Sequence, residues 1–500
     1  MKTAKISLIL VSCFALSTLA VMSVSIPSTG IGGELRRTWE SSRGGVSIES
    51  PSAVYEGAVS LGLFLLLITL TALDMRYRHF LAILAVSAVV FLGVAPPQKL
   101  VGSVDWALIV FLVGSMSFAT ILRKIGVFTY LAAHIVKFSR GRPLPLLALL
   151  SALAWFAAMV VDEVTSIVYV IMVVLELSRL LKVDPEELAI LVVLTTNVGS
   201  LALPVGNPIG VYIAFTTGFT PRDFILSALP LSALCFLATV LLFSLIRARY
   251  VRELALATAS RSEMLEAFIT TKLVDIEPRE RRARTYGVAL LLAFLVTVSI
   301  TPLIAELLTF LSGFYIDPNS LLALVPCLFV ALTLPVMEVP ELGEVLAKGV
   351  EWPSIAFFMF LFMLGYSLTW SGAMVKIAYS IVSISQLINP SALSLFDMLM
   401  VASAVLSAFL DNLSLVVALV PAIELIVRIA GFRELFWSIL FGGVLGGNLT
   451  PVGSTANIVA VSILERRRRV KISWARWMKI SLPIVVAQLV LASTWSLLLL

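Results

Sequence analysis

Residues 446–457 read Gly-Gly-Asn-Leu-Thr-Pro-Val-Gly-Ser-Thr-Ala-Asn, midway along an apolar run spanning 434–464. Proline supplies no N–H and glycine no side chain, so a helix entering this stretch breaks there. Residues 197–210 repeat the pattern: Asn-Val-Gly-Ser-Leu-Ala-Leu-Pro-Val-Gly-Asn-Pro-Ile-Gly, inside the apolar run 186–219. Runs of that length cross a bilayer. Unwound backbone at membrane depth survives only where protein or a water-filled cavity satisfies its N–H and C=O groups. The expectation is an all-α polytopic membrane protein in which two broken helices surround a polar site.

The composition agrees. The chain has 500 residues, 60% of them hydrophobic and 13% charged, with mean hydropathy +1.04. That leaves too little charge to cover a soluble surface. The net charge of +6 is concentrated in short loops, which reads as membrane topology and excludes nucleic acid as a partner. Cys13, Cys235 and Cys327 lie in apolar runs with no ligand spacing. His79 and His134 share no motif with a third ligand, so no zinc site is expected.

Spanning segments are expected near 53–73, 79–95, 104–121, 186–219, 222–246, 286–309, 320–337, 353–372, 434–464 and 476–499. Two longer apolar stretches, 143–181 and 392–430, are interrupted at their centres by Asp162-Glu163 and Asp411-Asn412. Each reads as a re-entrant hairpin, preceded by an interfacial helix at 123–140 or 373–390. With that layout Arg76 and Arg78, Arg123 and Lys124, Arg140 and Arg142, the linker 247–285 and the run Arg466–Lys471 share one face. The positive-inside rule makes that face the cytoplasm of a cell membrane. Residues 1–26 could be a signal peptide or a membrane helix, and the missing A-x-A-like cleavage site favours the helix. Residues 27–52 read as an external loop.

The domains 53–246 and 286–500 are repeats. Val104-Asp105-Trp106 matches Val350-Glu351-Trp352, Gly126 matches Gly372, and Asp162 matches Asp411. Gly199, Pro204, Val205 and Gly206 match Gly446, Pro451, Val452 and Gly453, with the offset held between 246 and 249 residues. Five crossings plus a hairpin per half make an odd count, so the second half should be inverted.

Carboxylates in hydrocarbon must be protonated, paired, hydrated or bound to a cation. Asp162, Glu163 and Thr165 at one tip, and Asp411, Asn412 and Ser414 at the other, are therefore candidate ion ligands. Na⁺ could sit at Asp162, Thr165, Asp411 and Asn412. The same residues could serve as helix caps. The breaks add Asn197, Gly199, Gly206, Asn207, Asn448, Thr450, Gly453, Ser454, Thr455 and Asn457 as candidates. Half-helix N-termini there favour an anion, and carbonyls at the facing ends suit a cation. Glu176 and Glu424 precede Arg179 and Arg428 at helical spacing and read as surface ion pairs.

Asp162-Glu163-Val164-Thr165, the 197–210 segment, Ser407-Ala408-Phe409-Leu410-Asp411-Asn412 and the 446–457 segment together resemble the ion transporter superfamily. The arsenite permeases, NhaD-type sodium–proton antiporters and citrate-transporter-like permeases are closest in pattern, over about residues 53–500. The resemblance implies two hairpins, two broken helices, Na⁺ or H⁺ as coupling ion, and a homodimer moving substrate by an elevator-like motion. There are departures. Glu163 stands where the first motif commonly has Asn, and Asn207-Pro208-Ile209-Gly210 where the first broken helix commonly ends in Asp-Pro-Pro-Asn. Neither tip carries the Ser-Asn-Thr of dicarboxylate carriers.

The function expected is secondary active transport of a small anion or metalloid, with no cofactor beyond the coupling ion and the lipid bilayer as surroundings. Na⁺/H⁺ exchange is the alternative. An intramembrane aspartyl protease is the alternative of another class, since two membrane aspartates could share a proton. That chemistry has no need of paired glycine–proline breaks, and no Gly-x-Gly-Asp pattern is present.

Overall fold

The computed structural model describes residues 2–500 apart from 74–76, 140–141, 161–162, 274–276, 335–342, 389–390, 409–411 and 469–471. Every regular element among the described residues is a helix. Seven are long and apolar enough to cross a membrane: Pro51–Thr71, Trp106–Lys124, Pro143–Val160, Pro221–Ile246, Pro278–Ser312, Trp352–Trp370 and Trp474–Ser496. The chain is an all-α multi-pass membrane protein.

Helix starts follow local side-chain chemistry. Asp105 accepts from the Leu108 amide (2.9 Å), Asp317 from Ser320 (2.7 Å) and Ser391 from Ser394 (3.1 Å). Thr220 and Asp223 form a reciprocal capping box with Pro221 in the first turn. Two stops matter for the repeat. Gly126 (φ +78°) follows Trp106–Lys124, and its sequence match Gly372 (φ +77°) follows Trp352–Trp370. A left-handed residue at the same place in both halves explains why that pair is glycine.

The expected crossings differ in length from the helices found. Segments 79–95 and 320–337 contain the shorter helices Arg78–Phe91 and Pro318–Ala331. Segments 186–219 and 434–464 each divide in two, as Pro185–Ser200 plus Pro208–Thr217 and Leu435–Gly446 plus Thr455–Arg468. These are broken helices 1 and 2. The expected hairpins hold Pro143–Val160 with Glu163–Leu181, and Ala392–Ser407 with Asn412–Ala430, the two arms of each in contact. The first arm, Pro143–Val160, is by itself long enough to cross. Helices Val127–Ser139 and Ala373–Ile388 occupy the stretches read as interfacial.

The stretch read as an external loop contains a helix, Gly30–Ser42, that the sequence reading did not anticipate. Its Trp39 Nε1 donates to the Thr369 carbonyl at 2.9 Å, and Arg43 beyond it lies 4.0 Å over the Trp370 ring. Half of its residues are polar or charged, and it carries no long apolar run, which hid it. Lys2–Ser23 packs along Pro51–Leu73, and the linker 247–285 holds the helices Ala248–Ser260 and Ser262–Leu273.

Packing repeats between the halves. Pro143–Val160 lies along Pro185–Ser200, and Ala392–Ser407 along Leu435–Gly446. The second arms also reach across: besides the broken helix of its own half, Glu163–Leu181 packs on Thr455–Arg468, and Asn412–Ala430 on Pro208–Thr217. Broken helix 1 is anchored at its start by Glu186 paired with Arg476 and Glu187 paired with Arg247, both acids buried. Acids in a first turn also face the positive end of the helix dipole.

Candidate functional site

Close backbone approach builds the site first. A Cβ on Gly199 would fall 2.1 Å from the Trp155 carbonyl oxygen, and one on Gly446 would fall 2.3 Å from Ala404 Cα. Only glycine lets each hairpin's first arm press that hard on the neighbouring broken helix. Inside the breaks, a Cβ on Gly206 would meet the Ser200 carbonyl oxygen at 2.5 Å and one on Gly453 the Gly447 oxygen at 2.5 Å. These pairs are matched by the sequence repeat.

The unwound segments are capped alike. Asn207 is extended (φ −155°), and its Oδ1 accepts from the Gly210 amide at 2.7 Å. At the matched position Ser454 Oγ accepts from the Asn457 amide at 3.2 Å. Asn457 Nδ2 donates to the Gly447 and Thr450 carbonyls, both at 2.8 Å, which closes the second break on itself.

Side chains tie tips to breaks. The Ser200 hydroxyl donates to Glu163 Oε2 at 3.1 Å, and Asn207 Nδ2 donates back to the Ser200 carbonyl at 2.9 Å. Across the site the Ser407 hydroxyl reaches Asn412 Oδ1 and the Gly443 carbonyl, and Thr450 Oγ1 donates to the Ala408 carbonyl. The breaks are bolted together by Asn197, fully buried, whose Nδ2 donates to Asn448 Oδ1 and Asn457 Oδ1, both at 2.8 Å. Ser454 Oγ reaches Asn197 Oδ1 at 3.1 Å.

Between these groups and the rest of the protein lies a cavity of about 50 Å³. One water needs about 10–15 Å³ in this measure, so there is room for a few waters or a small ion. One wall comes from the tips and breaks: Glu163, Asn207, Pro208, Asn412 and Thr455. The other comes from Arg78, Ser115, Met116, Glu351, Ser354 and Phe358 on helices Arg78–Phe91, Trp106–Lys124 and Trp352–Trp370. Glu163–Leu181, Pro208–Thr217, Asn412–Ala430 and Thr455–Arg468 begin at the wall of tips and breaks, and Arg78–Phe91 and Trp352–Trp370 begin at the other wall. Each N-terminus carries roughly half a positive charge. Asn412 Nδ2 and Ser115 Oγ, on opposite walls, are buried with no hydrogen-bond partner among the described residues. Orphaned polar atoms are costly, and these two belong to residues that line one cavity.

A larger cavity of about 460 Å³ lies further along the same helices, lined by Asp105, Tyr212, Phe362, Tyr366, Glu424 and Arg428 among others. Glu424 and Arg428 form the expected ion pair at 2.8 Å. Tyr212 and Phe362, with ring centroids 5.0 Å apart, line this larger cavity together.

The expected residues thus divide. Glu163, Asn207, Asn412 and Thr455 line the central cavity. Asn197, Asn448, Thr450, Ser454 and Asn457 form the buried network behind it, while Gly199, Gly206 and Gly453 serve close backbone contacts. Asp162 and Asp411 lie outside the described residues, as do the side chains of Thr165 and Ser414. Sequence reasoning missed Arg78, Ser115, Glu351 and Ser354. Arg78 reads in the sequence as one of the basic topology residues, and it is the packing of Arg78–Phe91 on Trp352–Trp370 that brings it to the cavity.

The chain matches the citrate transporter family over residues 63–388 and 314–499. It is 27% identical over 416 residues to an uncharacterized transporter of Mycobacterium bovis, covering 82% of this chain and 90% of that one. An uncharacterized transporter of Synechocystis is 25% identical over 455 residues, 87% of this chain and 95% of the relative. The human P protein is 24% identical over 443 residues, 76% of this chain and 52% of the P protein. The protease reading falls away with this kinship, and the broken helices and their polar cavity acquire a context: the chain belongs to the citrate transporter family and is a secondary transporter of the membrane, not an enzyme.

Proposed function

We propose that this transporter moves a small anion or metalloid through the central cavity, coupled to Na⁺ or H⁺. The observation that carries the reading is the cavity itself. Helix N-termini from both walls meet at it, Asn412 and Ser115, each with a buried orphaned polar atom, line it, and Glu163 lines it beside them. Donors and positive helix ends suit an anion. Carboxylates, at Glu163 and at the neighbouring Asp162 and Asp411, suit a coupling cation. The separation of tips and breaks on one wall from helices Arg78–Phe91, Trp106–Lys124 and Trp352–Trp370 on the other supports an elevator-like movement of the first against the second. The packing of the hairpin arms across the two halves supports an inverted repeat. The basic clusters support a cytoplasmic linker and a cytoplasmic Arg466–Lys471.

Na⁺/H⁺ exchange is the second reading, favoured by two carboxylates, Glu163 and Glu351, lining one small cavity. Purified protein in liposomes separates the two. Uptake of labelled citrate and of ²²Na⁺ is followed under imposed Na⁺ and pH gradients. The proposal expects anion flux that follows one of those gradients. Flux indifferent to both would remove coupling, and Na⁺-for-H⁺ exchange with no anion movement would favour the second reading.

A further inference from the structure

We infer that Arg78 is the charge-selecting residue of the central cavity, contacting an oxyanion or carboxylate substrate from the wall opposite the hairpin tips. This rests on the transporter reading above and narrows it to an anionic substrate.

Arg78 lines the cavity together with Glu163, Asn207 and Asn412. Its Nη2 donates to Ser354 Oγ at 2.8 Å, and Ser354 Oγ donates to Glu351 Oε2 at 3.0 Å. Its guanidinium lies 5.1 Å over the Phe357 ring. The head group is thus held by a hydroxyl and a ring face on Trp352–Trp370. A planar fork of donors held in that way suits two-point recognition of a carboxylate or phosphate-like group, which an ammonium would not match.

The charge of Arg78 bears on the substrate. Glu163 and Glu351 line the cavity as acids, and Arg78 adds one full positive charge to the wall opposite the tips, beside the partial positive charges of the helix N-termini there. An arginine at that place raises the energy of every cation that enters. For an anion it supplies the attraction that helix ends provide only weakly. Ser354 places Glu351 beside it, so removing Glu351's charge should strengthen that attraction.

The test uses the full chain in liposomes, with labelled citrate and inorganic phosphate as anion probes and ²²Na⁺ as the cation probe. Charged hydrogen bonds of this kind translate into about 10- to 100-fold in affinity. Arg78→Gln should raise the KM for the transported anion by at least about tenfold while leaving the Na⁺ dependence within about twofold. Arg78→Lys should recover part of the loss. Glu351→Gln should shift the anion KM the other way, downward, which a purely structural role for the cluster does not predict. An unchanged anion KM in Arg78→Gln overturns the inference while leaving anion transport standing. So does a rise in Glu351→Gln matching the rise in Arg78→Gln. A wild-type protein that moves neither anion yet exchanges Na⁺ overturns the anion reading itself. Should Arg78→Gln fail to fold, Arg78→Lys and Glu351→Gln still decide.

Discussion

Replacing Asn197 by alanine probes the bolt between the two broken helices. The amide makes three buried contacts: Nδ2 to Asn448 Oδ1 and to Asn457 Oδ1 at 2.8 Å each, and Oδ1 from Ser454 Oγ at 3.1 Å. Ser454 and Asn457 keep each other at 2.8 Å when the amide is gone. Asn448 Oδ1 has no other donor among the described residues and would be stranded. Side-chain hydrogen bonds between membrane helices average about 0.6 kcal/mol, so three give about 2 kcal/mol. A stranded buried acceptor adds about 1–3 kcal/mol, partly the same loss counted again. The expected cost is therefore about 2–4 kcal/mol. Reversible SDS unfolding of the purified variant in mixed micelles measures it. Asn197→Asp is the sharper control, because it turns two donors into acceptors facing the Asn448 and Asn457 oxygens. It should destabilise at neutral pH at least as much as alanine. A cost below about 0.5 kcal/mol for Asn197→Ala, within the noise of surface substitutions, would refute the idea that this amide joins the breaks.

Gly199→Ala and Gly446→Ala should each force the hairpin arm away from its broken helix, since the new Cβ meets backbone at 2.1 and 2.3 Å. Both should lose transport and show a lowered melting temperature in detergent, whereas alanine at the open Gly102, which has no left-handed φ, should leave the fold intact. Asp411→Asn and Glu163→Gln should abolish coupled flux while the protein still expresses and elutes as one species; normal turnover in either would defeat its assignment. Native mass spectrometry should return two copies of the chain, and a monomer alone would remove the proposed homodimer.

Much of the architecture was legible because membrane physics is severe. Glycine and proline in the middle of an apolar run announce unwound backbone, and both breaks lie at 197–210 and 446–457 as read. Gly126 and Gly372, matched in sequence, share a left-handed φ that gives this one match a physical cause. Glu163 and Asn412, which line the cavity, stood out because buried polar groups at hairpin centres are expensive. What stayed hidden was whatever depends on depth and on contacts between distant elements. Arg78 reads in sequence as one more basic residue at a helix end, and only the packing of Arg78–Phe91 on Trp352–Trp370 carries it into the cavity. Ser115 and Ser354 are ordinary residues within apolar helices until the other wall is brought opposite. Glu351 was matched with Asp105, which caps a helix, and no local signal distinguishes a cap from a cavity acid. The helix Gly30–Ser42 was missed because its stability comes from docking Trp39 against the 369 carbonyl, a contact across 330 positions of sequence.

A density map of the protein in lipid nanodiscs, with the transported anion and its coupling ion present, bears most directly on the whole account. Anion density within hydrogen-bond reach of Arg78, Asn412 and Ser115, with the coupling ion beside Glu163 and the hairpin tips, is the predicted outcome. Anion density confined to the outer cavity near Asp105 and Glu424, with only water between the tips and the broken helices in every resolved state, would contradict it.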